Sequence, residues 1–219
     1  MKTKTIYLLF SSTGTLLART IDLYTRTSYN HVSIALDQSL NLVYSFGRKR
    51  PKNPFIGGFV KENFNLPFFL ESNCAIYQLK VTEQEYEQLK EKILLMEAQE
   101  HLYRYNFLGL FGVILNKEIP RQNAYFCSQF VATVLKECGI YHGSKPPGLI
   151  RPQDLREWRE LTFVYQGKLE SYPHLNEQPE EEEENNPIYQ VFSTYYFIIN
   201  YQLYRTKNRV LKTLRYFRY

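Results

Sequence analysis

Residues 31 to 46 read HVSIALDQSLNLVYSF, and this run leaves few folds open. Apolar residues alternate with polar or small ones on both sides of DQSLN, a cluster of turn formers. Two alternating runs around a short turn predict a β-hairpin, and so an antiparallel sheet. Successive side chains of a strand point to opposite faces. Val32, Ile34 and Leu36 therefore share one face, and His31, Ser33 and Ala35 share the other. A symmetric register with Leu36 opposite Leu42 sets Ser33 against Ser45 and places Ser45 one diagonal step from His31.

The rest of the chain supplies the partners of such a sheet. TIYLLF and NCAIYQLKV read as further strands. TGTLLARTIDLYTRT predicts a helix, with Leu16, Leu17, Ile21 and Tyr24 at helical spacing. TEQEYEQLKEKILLMEAQE opens on a capping box, Thr82 with Glu85, and lines up Tyr86, Leu89, Ile93 and Met96. CSQFVATVLKECG is a helix ended by Gly139. RPQDLREWREL has proline where a short helix would start. Residues 48 to 70, rich in Pro, Gly and basic residues, read as mostly loop. Strands and helices in separate blocks predict an α+β fold, an antiparallel sheet packed on helices.

A run of five glutamates inside EQPEEEEENN, residues 177 to 186, repels itself and stays solvated. It reads as a linker between a main domain, 1 to 176, and a C-terminal tail, 187 to 219. The net charge of +5 belongs to that tail. Six of the 27 basic residues lie beyond Glu184 with no acid among them, leaving 21 against 22 acids, a net of −1. A nucleic-acid-binding domain would carry its own basic face, so no nucleic-acid partner is expected. The tail is aromatic first, with Ile188, Phe192, Tyr195, Ile199 and Leu203 on one stripe. It is basic later, with Arg209, Lys212 and Arg215 beside Val210, Leu211, Leu214 and Phe217. Such a helical tail would lie on an anionic membrane, or dock on the main domain or on a second copy of the chain.

Three cysteines with no framework spacing argue for a reducing compartment rather than a disulfide scaffold. The opening MKTKTIYLLFSSTGTLLART reads as a strand and not as a signal peptide, since its apolar run breaks after five residues. No stretch of 18 uninterrupted apolar residues is present. A cytoplasmic location is the expectation. No His/Cys spacing matches a zinc motif, and no cofactor is expected.

Two residues could carry chemistry. Cys127, Phe130, Val131, Val134 and Cys138 form one stripe at helical spacing, so this stripe faces the core. Cys127 also lies in the first turn, where unpaired amide N–H groups and the positive end of the helix dipole favour a thiolate. Cys138, at the other end, reads as a core residue. The alternative for Cys127 is the same, a small buried hydrophobe. Of the four histidines, His101, His142 and His174 sit in polar surroundings. His31 starts a strand whose small neighbours leave room for a packed helix end. It is either a base for Cys127 or a strand-edge histidine bonded to backbone. Ser45 would be its orienting partner.

NHVSIALD, followed about 95 residues later by YFCSQFVATVLKECGI and then by RPQDL, resembles the circularly permuted branch of the NlpC-type, papain-like cysteine hydrolases. These are the YiiX/YebB-like permuted amidases, with lecithin:retinol acyltransferase as a relative. The likeness covers roughly residues 5 to 160. It implies a permuted papain-like α+β core, with an antiparallel sheet or small barrel against the cysteine-bearing helix. Cys127 would match the nucleophile and His31 the general base. The third, polar position would fall on Ser45 or its neighbour Tyr44, and Tyr125 would help bind the oxyanion. The implied chemistry is thiolate attack on an amide or ester carbonyl through a thioacyl enzyme. The implied substrates are peptides, peptidoglycan fragments or lipid acyl chains. Two positions depart from the pattern. Serine stands where His, Asn or an acid is common, and Gln129 stands where Glu is common. The expected function is a thiol-dependent hydrolase of amide bonds. The alternatives are a lipid-directed thiol acyltransferase or esterase at a membrane surface and, motivated by those departures, a non-catalytic binding module on the same fold.

Overall fold

The computed structural model describes residues 2–12, 29–49 and 56–177. All of them belong to one unit, Met1–Glu177. The helix expected over 13 to 27, the glutamate run and the tail from 187 lie outside the described residues.

In chain order the elements are β1 Thr3–Ser11, β2 His31–Ala35, β3 Val43–Arg48, β4 Gly57–Glu62, α1 Pro67–Leu70, β5 Asn73–Thr82, α2 Glu83–Ala98, β6 Arg104–Tyr105, α3 Phe107–Ile114, β7 Ala124–Tyr125, α4 Cys127–Glu137, α5 Pro152–Arg156 and β8 Thr162–Lys168. Six strands form one sheet in the order β4-β3-β2-β1-β5-β8, with every pairing antiparallel. β6 and β7 form a separate two-residue parallel pair. The class is α+β. The ladder runs from β4 to β8, and those two strands are not paired with each other among the described residues.

The hairpin has the expected register. Ile34 faces Tyr44 and Ala35 faces Val43. The Leu36 N–H donates to the Leu42 carbonyl at 3.0 Å. One sheet face carries Ile6, Leu8, Phe10, Val32, Ile34, Tyr44, Phe46 and Phe59. The stripes of α2 (Tyr86, Leu89, Ile93, Met96) and α4 (Phe130, Val131, Val134) share that core. Thr82 and Glu85 close both hydrogen bonds of the capping box that starts α2. The other face carries Tyr7, Leu9, Ala35, Val43 and Ile76, covered by Phe64, Leu169 and Tyr172.

The expectation of mostly loop over 48 to 70 is corrected. β4 occupies Gly57–Glu62 and α1 occupies Pro67–Leu70. The glycines that suggested a loop serve a close approach between strands instead. A Cβ on Gly58 would lie 2.5 Å from the Tyr103 carbonyl oxygen, and one on Gly57 would lie 2.9 Å from the Tyr105 Cβ. β6 therefore lies directly against β4. The helix over RPQDLREWREL is also shorter than its pattern, ending at Arg156.

Candidate active site

The site forms where the β2–β3 ladder stops. In an antiparallel pair every second residue aims its amide at the neighbouring strand. Leu36 aims at β3, so by the two-residue period Ile34 and Val32 do as well. Pairing ends at Ile34 and Tyr44. The Val32 N–H is then directed at a gap, and the first residue of α4 fills it: this amide donates to the Cys127 sulfur. The Ser128 N–H, in the first turn of α4, donates to the same sulfur.

The helix start is prepared by buried amides rather than by an ordinary N-cap. Phe126 at the N-cap has extended backbone and no side-chain oxygen to offer. Gln129 reaches back, and its Oε1 accepts from the Phe126 N–H at 3.4 Å and from Asn106 Nδ2 at 3.3 Å. Asn106 in turn caps α3, accepting from the Gly109 N–H at 3.0 Å. The Ser128 hydroxyl donates to the Ile150 carbonyl at 2.7 Å and ties α4 to the segment before α5. Gln129 thus has a structural task at the position where the resemblance leads one to expect Glu.

His31 is the hydrogen-bond partner of the Cys127 side chain. Its Nε2 lies 2.8 Å from Glu62 Oε1, which leaves Nδ1 for the sulfur. Glu62, at the end of β4, is buried. It also accepts from Ser45 at 2.5 Å and from Ser33 at 2.8 Å. Burial alone would lower the His31 pKa. The Glu62 carboxylate and the Cys127 sulfur outweigh it and push the imidazole up to about 10. Burial likewise works against the Cys127 thiolate, but the His31 hydrogen bond and charge, with the Val32 and Ser128 amides, bring its pKa below the ordinary thiol value. Glu62 is held below the usual carboxylate range by His31, Ser45 and Ser33 despite its burial. The arrangement favours a thiolate–imidazolium pair backed by a carboxylate.

The other expected residues divide. Ser45 reaches Glu62 rather than the imidazole, so the nearer group on His31 Nε2 is the carboxylate, with the Ser33 hydroxyl at 3.3 Å from the same nitrogen. The Tyr44 hydroxyl donates to Glu97 of α2 at 3.2 Å, on the helix-covered face. The Tyr125 ring packs on Phe46 with centroids 5.2 Å apart. Burial, and then Glu137 at the far end of α4, raise the Tyr125 hydroxyl. Tyr105, paired with Tyr125 across β6 and β7, is the tyrosine in the field of Cys127. Burial and that sulfur's charge keep its hydroxyl protonated. Cys138 is buried, and burial pushes its thiol up.

Glu62 and Tyr105 were missed in the sequence. Glu62 is the one acid of the alternating stretch GGFVKE, a signal hidden by the glycines and prolines around it. Beside Cys127 opens a cleft of about 70 Å³ whose lining includes Tyr105, Leu110, Val113, Phe126, Ile150 and Gln153. Among the described residues no group of three His, Cys, Asp or Glu side chains could hold a metal ion. No family model, curated protein or solved structure matches the chain.

Proposed function

We propose that the protein is a thiol-dependent hydrolase of the permuted papain-like class, with Cys127 as nucleophile, His31 as acid and base, and Glu62 as the residue that orients and charges His31. The observation that carries this reading is the buried Cys127–His31–Glu62 chain at a helix start. A structural cysteine needs neither an imidazole on its sulfur nor a carboxylate behind that imidazole. The order of the parts, histidine strand before cysteine helix, also supports the permuted class.

The Cys127 thiolate attacks an amide or ester carbonyl carbon, and the π electrons move to the oxygen. The first-turn amides of α4 and the neutral Tyr105 hydroxyl are the donors for that oxyanion. On collapse, the leaving nitrogen or oxygen takes the proton from His31 Nδ1, and a thioester remains. Neutral His31 then accepts a proton from water as it attacks the thioester, and the thiolate departs. A peptide amide is the default substrate. The apolar cleft favours a second reading, an acyl chain whose thioester passes to water or to another hydroxyl.

The test is the pH dependence of alkylation of each cysteine by iodoacetamide, read by mass spectrometry in wild type and His31→Ala. Cys127 is expected to react well below the ordinary thiol pKa of about 8.5, and the His31→Ala chain to lose this. If Cys127 reacts no more readily than Cys138, or His31→Ala changes nothing, the chain is a binding module instead.

A further inference from the structure

α3 turns the usual pattern of a surface helix inside out. A helix on a globular protein buries its large apolar side chains and exposes polar ones. α3 reads FLGLFGVI, with no polar residue. It buries Gly109 and Gly112, while Leu108 and Phe111 are 52% and 62% exposed and Leu115, just past its end, is 71% exposed. Close packing fixes this orientation. A Cβ on Gly109 would sit 2.5 Å from Asn106 Nδ2, and one on Gly112 would sit 2.5 Å from the Lys117 carbonyl oxygen. Only glycine fits the inward side, so the bulky residues must point out.

The same helix lines the cleft. Leu110 and Val113 form part of its wall, beside Cys127. The exposed apolar face and the apolar wall are thus continuous around one helix. We infer that α3 is the surface by which the protein seats on an anionic phospholipid bilayer, so that an acyl chain passes from the bilayer along α3 to Cys127. The acyl delivery rests on the proposed thiol chemistry, whereas the seating does not.

Charge selects the bilayer among apolar partners. Lys117 and Arg121 follow α3 and are exposed. The acid between them, Glu118, accepts the Gly148 N–H at 3.1 Å. The segment that follows α3 thus sets two exposed cations against one acid whose carboxylate is turned to the Gly148 amide, a net positive charge toward anionic headgroups around an acyl layer. Eight residues make a helix about 12 Å long, suited to shallow seating rather than crossing. No helix among the described residues is long and apolar enough to span a membrane.

The full chain carrying F111W, with wild type and its Trp158 as control, tests the seating against the tail's own contribution. Vesicles of phosphatidylcholine with phosphatidylglycerol, brominated on the acyl chains, are the probe. F111W emission is expected to shift to the blue and be quenched, far more than in pure phosphatidylcholine vesicles. L108S with L115S in the F111W background should weaken the quenching titration by about tenfold or more. Quenching no greater than in wild type overturns the inference, whether the tail binds vesicles or not. So does a blue shift that grows with protein concentration alone, which would assign the face to a second copy. Cys127 alkylation on the same samples separates the two proposals. Quenching with an unreactive thiol leaves the seating and removes the acyl chemistry.

Discussion

Glu62 gathers three donors on its carboxylate in a buried position, and each of them bears on what His31 can do. A buried charge stripped of its partner costs about 3–5 kcal/mol, so Glu62→Ala should unfold the chain at markedly lower urea. Glu62→Gln keeps the volume and one acceptor but removes the charge. It should leave the fold in place and raise the Cys127 pKa, with each unit lowering the thiolate fraction about tenfold at pH values below it. The check is Cys127 alkylation between pH 5 and pH 8. Ser45→Ala removes only a hydrogen bond to the carboxylate, about 1.5–3 kcal/mol of stability by equilibrium unfolding. Its alkylation profile should stay close to wild type, since His31 keeps Glu62. A loss as deep as that of Glu62→Gln would return Ser45 to the role of orienting partner. Cys127 and His31 were legible because each stands at a marked place in a local pattern, one in a helical first turn and one at a strand start. Glu62 was not, because 31 residues separate it from His31 and only tertiary packing brings it to the imidazole.

The geometry of the elements decides where these side chains meet. The hairpin, the capped α2 and the cysteine helix all carry their own periodicity, so they can be read from local sequence. β4 cannot, because its glycines signal a turn until β6 is known to cross it. Likewise α3 has no apolar stripe to detect, since every position is apolar or glycine. The termination of the β2–β3 ladder at Ile34 has no sequence mark either, although it frees the Val32 amide for the sulfur. The β4–β6 crossing gives a test at this scale. Gly58→Ala would drive a Cβ into the Tyr103 carbonyl, a backbone atom that cannot rotate away. Overpacking of this kind costs about 1–3 kcal/mol. The melting temperature should fall, and Tyr105 should move relative to Cys127, whereas Gly139→Ala, with open space at its Cβ and a strained φ of 71°, should cost stability while leaving the site alone. Thermal melts paired with Cys127 alkylation rates separate the two. Equal effects of both substitutions on alkylation would remove the crossing from the account of the site.

At the scale of the whole molecule the buried cluster makes stability depend on pH in a way that Cys127 itself masks. His31 stays protonated in the folded chain up to about 10 but only to its ordinary 6.5 in the unfolded chain. Between these values the folded state holds the extra proton, and this contribution to stability, complete below 6.5, is lost as pH rises through about 10. Cys127 acts in the opposite sense. Its folded pKa is lowered, so above it and up to the ordinary thiol value of the unfolded chain the folded state lacks a proton that the unfolded state holds. Over their shared range folding moves a proton from sulfur to imidazole and the two slopes cancel. Glu62, also lowered, contributes above 4.5 and loses its share as pH falls through its folded value. Cys127→Ala removes one side of the cancellation and leaves His31 on Glu62. In that variant stability should decline from pH 6.5 upward, by as much as about 1.4 kcal/mol per pH unit for one uncompensated proton. Wild type should stay comparatively flat to pH 9. Urea unfolding of both chains at pH 6, 7, 8 and 9 measures the difference. Parallel profiles would mean that sulfur and imidazole do not share a proton, and the thiolate–imidazolium pair would have to be abandoned.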